Sequence, residues 1–122
     1  MPRVLVVDDE PAFVEMLTDF LTGKGYEVIT ASNGEETLQK LKEERPHLIL
    51  LDVHMPGMNG LEVLQQVRQI DGEVGVIMVT AANDEETGRK ALQMGAFDYI
   101  VKPVDFQYLE RSLWVKITMM LL

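Results

Sequence analysis

The chain has 122 residues, 47% of them hydrophobic and 25% charged, with a formal net charge of −9; that is the length of one domain, with apolar content enough for a core. It contains no cysteine, which excludes disulfides, zinc–thiolate centres and thiol catalysis and fits a reducing compartment. The acidic balance argues against direct nucleic-acid binding, which needs a basic footprint, and suits a site that gathers divalent cations.

The first four residues, Met1-Pro2-Arg3-Val4, carry no signal-peptide pattern, and no apolar run approaches the ~20 residues of a bilayer span. A soluble, cytoplasmic domain with no membrane contact is expected. Residues 3 to 7 (Arg-Val-Leu-Val-Val) read as a buried strand that ends on Asp8-Asp9-Glu10-Pro11. Pro11 suits the first turn of a helix, with Asp9 as its predicted N-cap. Phe13, Met16, Leu17, Phe20 and Leu21 form that helix's inward stripe, and Gly23 and Gly25 stop it.

Tyr26 to Ala31 is a second predicted strand. Asn33 and Glu36 have capping-box spacing and open a helix to about Arg45, with Leu38 and Leu41 inward and Pro46 closing it. Leu48 to Leu51 is apolar throughout, as a strand buried on both faces must be, and Asp52 stands where it leaves the core. Pro56, Gly57, Asn59 and Gly60 force a loop. Leu61, Leu64, Val67 and Ile70 mark a third helix ended by Asp71-Gly72. Val76 to Val79 is a fourth strand finishing on Thr80-Ala81-Ala82. Asn83 or Asp84 caps a fourth helix with a thin stripe of Ala91, Leu92 and Met94, ended by Gly95. Phe97 to Val101 is the fifth strand, closed by Lys102-Pro103. A last helix from about Asp105 turns Phe106, Leu109, Leu113, Ile117 and Met120 inward.

Five alternations of apolar strand and amphipathic helix predict an α/β protein. The expected fold is a three-layer (βα)5, flavodoxin-like arrangement, with a five-stranded parallel sheet of order 2-1-3-4-5 and helices on both faces. Four of the strands then deliver polar groups at their carboxyl ends: Asp8 and Asp9, Asp52, Thr80, and Lys102. In this order the first and third strands are neighbours, and their ends flank the crevice that open α/β sheets use for ligands. Three carboxylates gathered there repel one another unless something positive neutralises them. Mg²⁺, with Mn²⁺ as a substitute, does so through oxygen ligands. With an ammonium and a hydroxyl added, the set suits a tetrahedral anion, and phosphoryl transfer is the chemistry that uses such parts.

Val6-Val7-Asp8-Asp9-Glu10, Leu51-Asp52-Val53-His54-Met55-Pro56-Gly57-Met58-Asn59-Gly60, Thr80-Ala81 and Gly95-Ala96-Phe97-Asp98-Tyr99-Ile100-Val101-Lys102-Pro103 together resemble the chemotaxis-regulator-like receiver domains of two-component response regulators. The resemblance covers essentially all of residues 1–122, as one receiver domain that stands alone or forms the amino-terminal part of a longer regulator. It implies that Asp52 accepts a phosphoryl group from a sensor histidine kinase or phosphotransfer protein. By the same resemblance Asp9, Asp8, Asp52 and the backbone carbonyl of His54 are the metal ligands, Asp9 direct and Asp8 through water. Lys102 pairs with Asp52 and then with the phosphoryl oxygens, the bond before Pro103 is cis, and the side chains of His54 and Ala82 tune the acyl-phosphate lifetime.

The resemblance also makes Thr80 and Tyr99 a switch pair that repacks the face of the fourth helix, fifth strand and fifth helix, where an output domain or a homodimer partner would dock. Read from the residues alone, Tyr99 could equally be an ordinary strand aromatic. The fourth helix carries Thr87 and Gly88, poor helix formers, and so is expected to be marginally stable. Two other function classes remain beside the signalling switch. A pseudo-receiver used only for protein contacts would lack the phosphoryl chemistry. A Mg²⁺ phosphatase on small substrates would want a second acid two residues after its nucleophile, where this chain has His54. The last helix also bears Trp114, Met119, Leu121 and Leu122, more apolar surface than one helix buries.

Overall fold

A computed structural model describes residues 1–55, 57 and 59–121. Five strands alternate with five helices: β1 (Arg3–Val7), α1 (Pro11–Gly23), β2 (Glu27–Ala31), α2 (Gly34–Glu44), β3 (Leu48–Asp52), α3 (Gly60–Ile70), β4 (Gly75–Thr80), α4 (Glu85–Gln93), β5 (Asp98–Val101) and α5 (Phe106–Met120). A 3-10 turn, Ala82–Asp84, precedes α4. The sheet is wholly parallel in the order β2-β1-β3-β4-β5, the flavodoxin-like arrangement expected.

Strand alternation sorts the core into two layers. Leu5, Val7, Ile49, Leu51, Val76 and Met78 pack with Leu41 of α2, Val63, Leu64 and Val67 of α3 and Ala91 of α4. Val4, Val6, Leu48, Leu50, Ile77 and Ile100 pack with Leu17 and Leu21 of α1 and Leu109 and Leu113 of α5. Successive residues of a strand face opposite sides, so a strand covered by helices on both faces must be apolar throughout. Every residue of β3 and β4 is buried, and each Leu or Ile withdrawn from water contributes about 1.5–3 kcal/mol before entropy is counted.

Several helix ends and faces differ from expectation. The N-cap of α1 is Glu10, not Asp9; Asp8 takes the turn instead, accepting from the Glu10 amide at 2.9 Å. Asn33 caps α2 through the Glu36 amide at 2.8 Å. Met16, Ile70, Leu92 and Met120 are exposed. A residue at the edge of an apolar stripe points in only if the neighbouring element reaches it, and on the same four helices it is Leu17, Val67, Ala91 and Leu113 that are buried. Asp84, the last residue of the 3-10 turn, stands at the N-cap of α4 as expected but makes no side-chain cap bond to the helix backbone. Trp114, Met119 and Leu121 are exposed, as anticipated. Pro56, Met58 and Leu122 lie outside the described residues.

Candidate functional site

Register brings the polar strand ends together. Val7 lies beside Leu51, Asp52 beside Val79, and Thr80 beside Val101. The residues that follow these rows therefore gather at one edge of the sheet. Asp8, Asp52 and Lys102 continue the alternation of Val6, Leu50 and Ile100, on the α1/α5 side. Thr80 and Tyr99 fall on the other parity, with Met78 on the α4 side. The charged groups and the candidate switch pair thus occupy opposite sides of the same sheet edge, an arrangement that only the strand pairing decides.

Asp8 and Asp52 are buried, while Asp9 is exposed. One carboxylate oxygen from each lies within 4.8 Å of the others. Lys102 places its Nζ 3.1 Å from Oδ2 of Asp8 and 4.0 Å from Oδ2 of Asp52. The sequence resemblance pairs Lys102 with Asp52; in the structure the shorter contact goes to Asp8, whose carboxylate is the more deeply buried and needs the positive charge more. The ammonium also sits 4.3 Å from the centroid of the Phe13 ring, a cation–π contact that fixes it over the first turns of α1. Sequence reasoning gave Phe13 a core role only; no local signal distinguishes an aromatic that shields a lysine from one that fills a core.

Burial pushes the Asp52 carboxyl up from 3.8 to about 6; the Asp8 charge adds to the rise, Lys102 and the His54 amide oppose it, and Asp9 adds a smaller push upward. The His54 amide donates to Asp52 Oδ1 at 3.3 Å. One ammonium facing three carboxylates leaves the cluster under-neutralised. An oxygen-only donor set with excess negative charge fits a hard divalent cation and is a poor match to a soft one.

The β3–α3 loop must pass close to the site. The amide of Gly60 bonds to Val53 O at 2.6 Å, and a Cβ on Gly60 would stand 2.6 Å from Asp52 O and 2.7 Å from Val53 Cα. Only glycine lets α3 start so near the acid. Asn59 caps the same helix through the Glu62 amide at 3.0 Å.

Thr80 is fully buried and donates its hydroxyl to the backbone carbonyl of Asp84 at 2.9 Å. Tyr99 is half-buried, its ring packed over Gly88 of α4, where a Cβ would come within 2.5 Å of Cδ2. The His54 imidazole is exposed and meets Asp84 Oδ2 at 2.7 Å; Ala82 is exposed at the start of the 3-10 turn. The Lys102–Pro103 peptide is cis. Sequence reasoning assigned Asp84 only as a helix cap and so missed its place at the centre of these contacts.

The family whose description reads "Response regulator receiver domain" matches residues 4–113. The chain is 45% identical over 113 residues to the probable C4-dicarboxylate response regulator DctR of Bacillus subtilis (strain 168), covering 91% of this chain and 50% of that protein. It is 43% identical over 101 residues to the DNA-binding response regulator MtrA of Mycolicibacterium smegmatis (strain ATCC 700084 / mc(2)155), covering 83% and 44%. The chain thus spans about half the length of these curated relatives. A response regulator receiver domain protein from Clostridium thermocellum superposes with a TM-score of 0.93 at 30% identity, over 98% of this chain and 96% of that one. A CheY-like receiver domain protein from Methanospirillum hungatei JF-1 superposes at 0.91 and 33% identity, over 98% and 95%. Among the described residues, no helix is long and apolar enough to cross a membrane.

Proposed function

The chain belongs to the response regulator receiver domain family, and on that premise we propose that residues 1–122 form a phosphorylatable signalling switch, the receiver part of a longer regulator. A carboxylate oxygen of Asp52 attacks the phosphorus of a phosphohistidine on a sensor kinase or phosphotransfer protein. The P–O bond forms as the P–N bond breaks, and the imidazole leaves. Water later attacks the same phosphorus, returning the Asp52 carboxylate and inorganic phosphate. The domain acts as catalyst only upon itself, in a cytoplasmic setting.

The observation that carries this reading is the convergence of three carboxylates and one ammonium around a nucleophile at the ends of adjacent parallel strands. Asp9, Asp8, Asp52 and the His54 carbonyl would hold Mg²⁺, or Mn²⁺ in its place. When bound, the cation offsets the carboxylate charge and that of the phosphoryl oxygens. Lys102, 3.1 Å from Asp8 and 4.0 Å from Asp52, is within a short swing of the nucleophile and of a phosphoryl oxygen on it. The side chains of His54 and Ala82, both exposed, would set water's approach to the aspartyl phosphate, and so its lifetime. Thr80 would turn its hydroxyl to the phosphoryl group, and Tyr99 would follow into the space vacated. The α4–β5–α5 face would then change for an output domain or a second copy.

Incubation with acetyl phosphate and Mg²⁺ followed by intact mass tests the reading. A phosphoryl adduct is expected in the parent chain and absent in Asp52→Ala. No adduct from acetyl phosphate or from a phosphorylated kinase would refute it in favour of a contact-only module.

A further inference from the structure

Three elements converge on Asp84. The Thr80 hydroxyl at the end of β4 donates to its backbone carbonyl at 2.9 Å. The Thr87 hydroxyl in the first turn of α4 donates to Oδ1 at 2.6 Å. Nε2 of His54, in the loop after β3, lies 2.7 Å from Oδ2. The opposite end of α4 is held separately. Arg68 of α3 donates from Nε and Nη2 to the Gly95 carbonyl at 3.1 and 2.8 Å, and from Nη1 to Val74 O at 2.6 Å. Between these ends, α4 presents only Gly88 and Ala91 as buried residues. The helix is thus clamped at its carboxyl end by a guanidinium and at its amino end through one aspartate.

We propose that Asp84 is the positioning residue that holds Thr80 in its resting orientation, with the His54–Asp84 pair as the latch that carries a change at Asp52 to the amino end of α4. This deepens the receiver reading and rests on it. A hydroxyl has one proton and donates to one acceptor at a time. While Thr80 donates to Asp84 O, it cannot donate to a group on Asp52. His54 completes the link, because its amide donates to Asp52 Oδ1 at 3.3 Å while its ring meets Asp84. A rearrangement of the backbone at residues 52–54 therefore pulls on the same residue that retains Thr80. Release frees the amino end of α4, which pivots about the Arg68–Gly95 anchor. The His54 ring is 66% exposed, so the latch is weak and easily reversed, as a switch requires.

Hydrogen–deuterium exchange on the unphosphorylated protein tests the lock without any phosphoryl chemistry. Asp84→Ala should speed exchange across residues 82–90 by about two- to fivefold, the scale of an exposed polar pair, and leave residues 93–97 unchanged. His54→Ala/Asp84→Ala should match Asp84→Ala alone, since Asp84→Ala already removes the only side-chain contact the His54 ring makes with this latch. Thr87→Ala should loosen the same segment, which guards against a folding defect peculiar to Asp84. The rate of adduct formation from acetyl phosphate should rise by a similar factor in Asp84→Ala, and that gain should vanish in a Thr80→Ala background, which a merely structural role would not produce. Unchanged exchange at 82–90, additive effects of the two substitutions, or a rate gain that survives Thr80→Ala would each overturn the proposal. Absence of any adduct in the parent chain would refute the receiver reading instead, while the exchange data would still decide the lock.

Discussion

Replacing Asp52 by asparagine should stabilise the metal-free protein, although it destroys the proposed phosphoacceptor. Burial and the Asp8 charge raise the folded-state carboxyl from 3.8 to about 6. The folded state therefore holds this proton more tightly than the unfolded chain. Its contribution to stability is fully present below about pH 3.8 and is lost as pH rises through about 6. At neutral pH the buried charge costs at most ~3 kcal/mol, from ~1.4 kcal/mol per pKa unit. Asparagine removes the charge and keeps an acceptor for the His54 amide, and Lys102 retains Asp8 at 3.1 Å.

Some of the gain is lost to imperfect amide pairing, so Asp52→Asn should be more stable at pH 7.5 by about 1–3 kcal/mol. Urea denaturation followed by circular dichroism, with EDTA present, measures this. The gain should shrink toward zero at pH 4, and Mg²⁺ should narrow it at pH 7.5 by stabilising the parent chain alone. No gain at pH 7.5, or one of equal size at pH 4, would show that the charge at residue 52 is not the source of strain in the site.

Asp9 is exposed, so Asp9→Ala should leave metal-free stability within about 0.5 kcal/mol while abolishing the rise in melting temperature on adding Mg²⁺; thermal melts with and without the cation read both. Gly88→Ala should fail to deliver the ~1 kcal/mol that alanine normally adds in a helix, because its Cβ meets the Tyr99 ring at 2.5 Å. The gain should return in Gly88→Ala/Tyr99→Ala, and a stabilised single variant in urea denaturation would argue that the ring does not rest on α4.

The apolar runs at Val4–Val7, Leu48–Leu51 and Val76–Val79 announced a parallel sheet, because only strands covered on both faces lack a polar side. Helix faces were less legible. Met16, Ile70, Leu92 and Met120 fit helical spacing and yet face water, since spacing gives a stripe but not the reach of the neighbouring element. Asp9 had the composition of an N-cap, but Asp8 took the turn, being the residue whose strand position leaves its carboxylate aimed at the Glu10 amide. Phe13 over Lys102 and Asp84 between His54, Thr80 and Thr87 join residues up to 89 positions apart in sequence, a distance no local pattern spans.

By itself the sequence determined the strand and helix alternation and the identity of the polar groups at the strand ends, since both are written in short-range order. The tertiary structure alone decided how those groups divide. Register and side-chain alternation set Asp8, Asp52 and Lys102 on the α1 side of the sheet edge and Thr80 and Tyr99 on the α4 side. Burial raised Asp52 to about 6. The physical reason is the same in each case: a carboxylate's partners and its access to water belong to the packed sheet, not to the residues beside it in the chain.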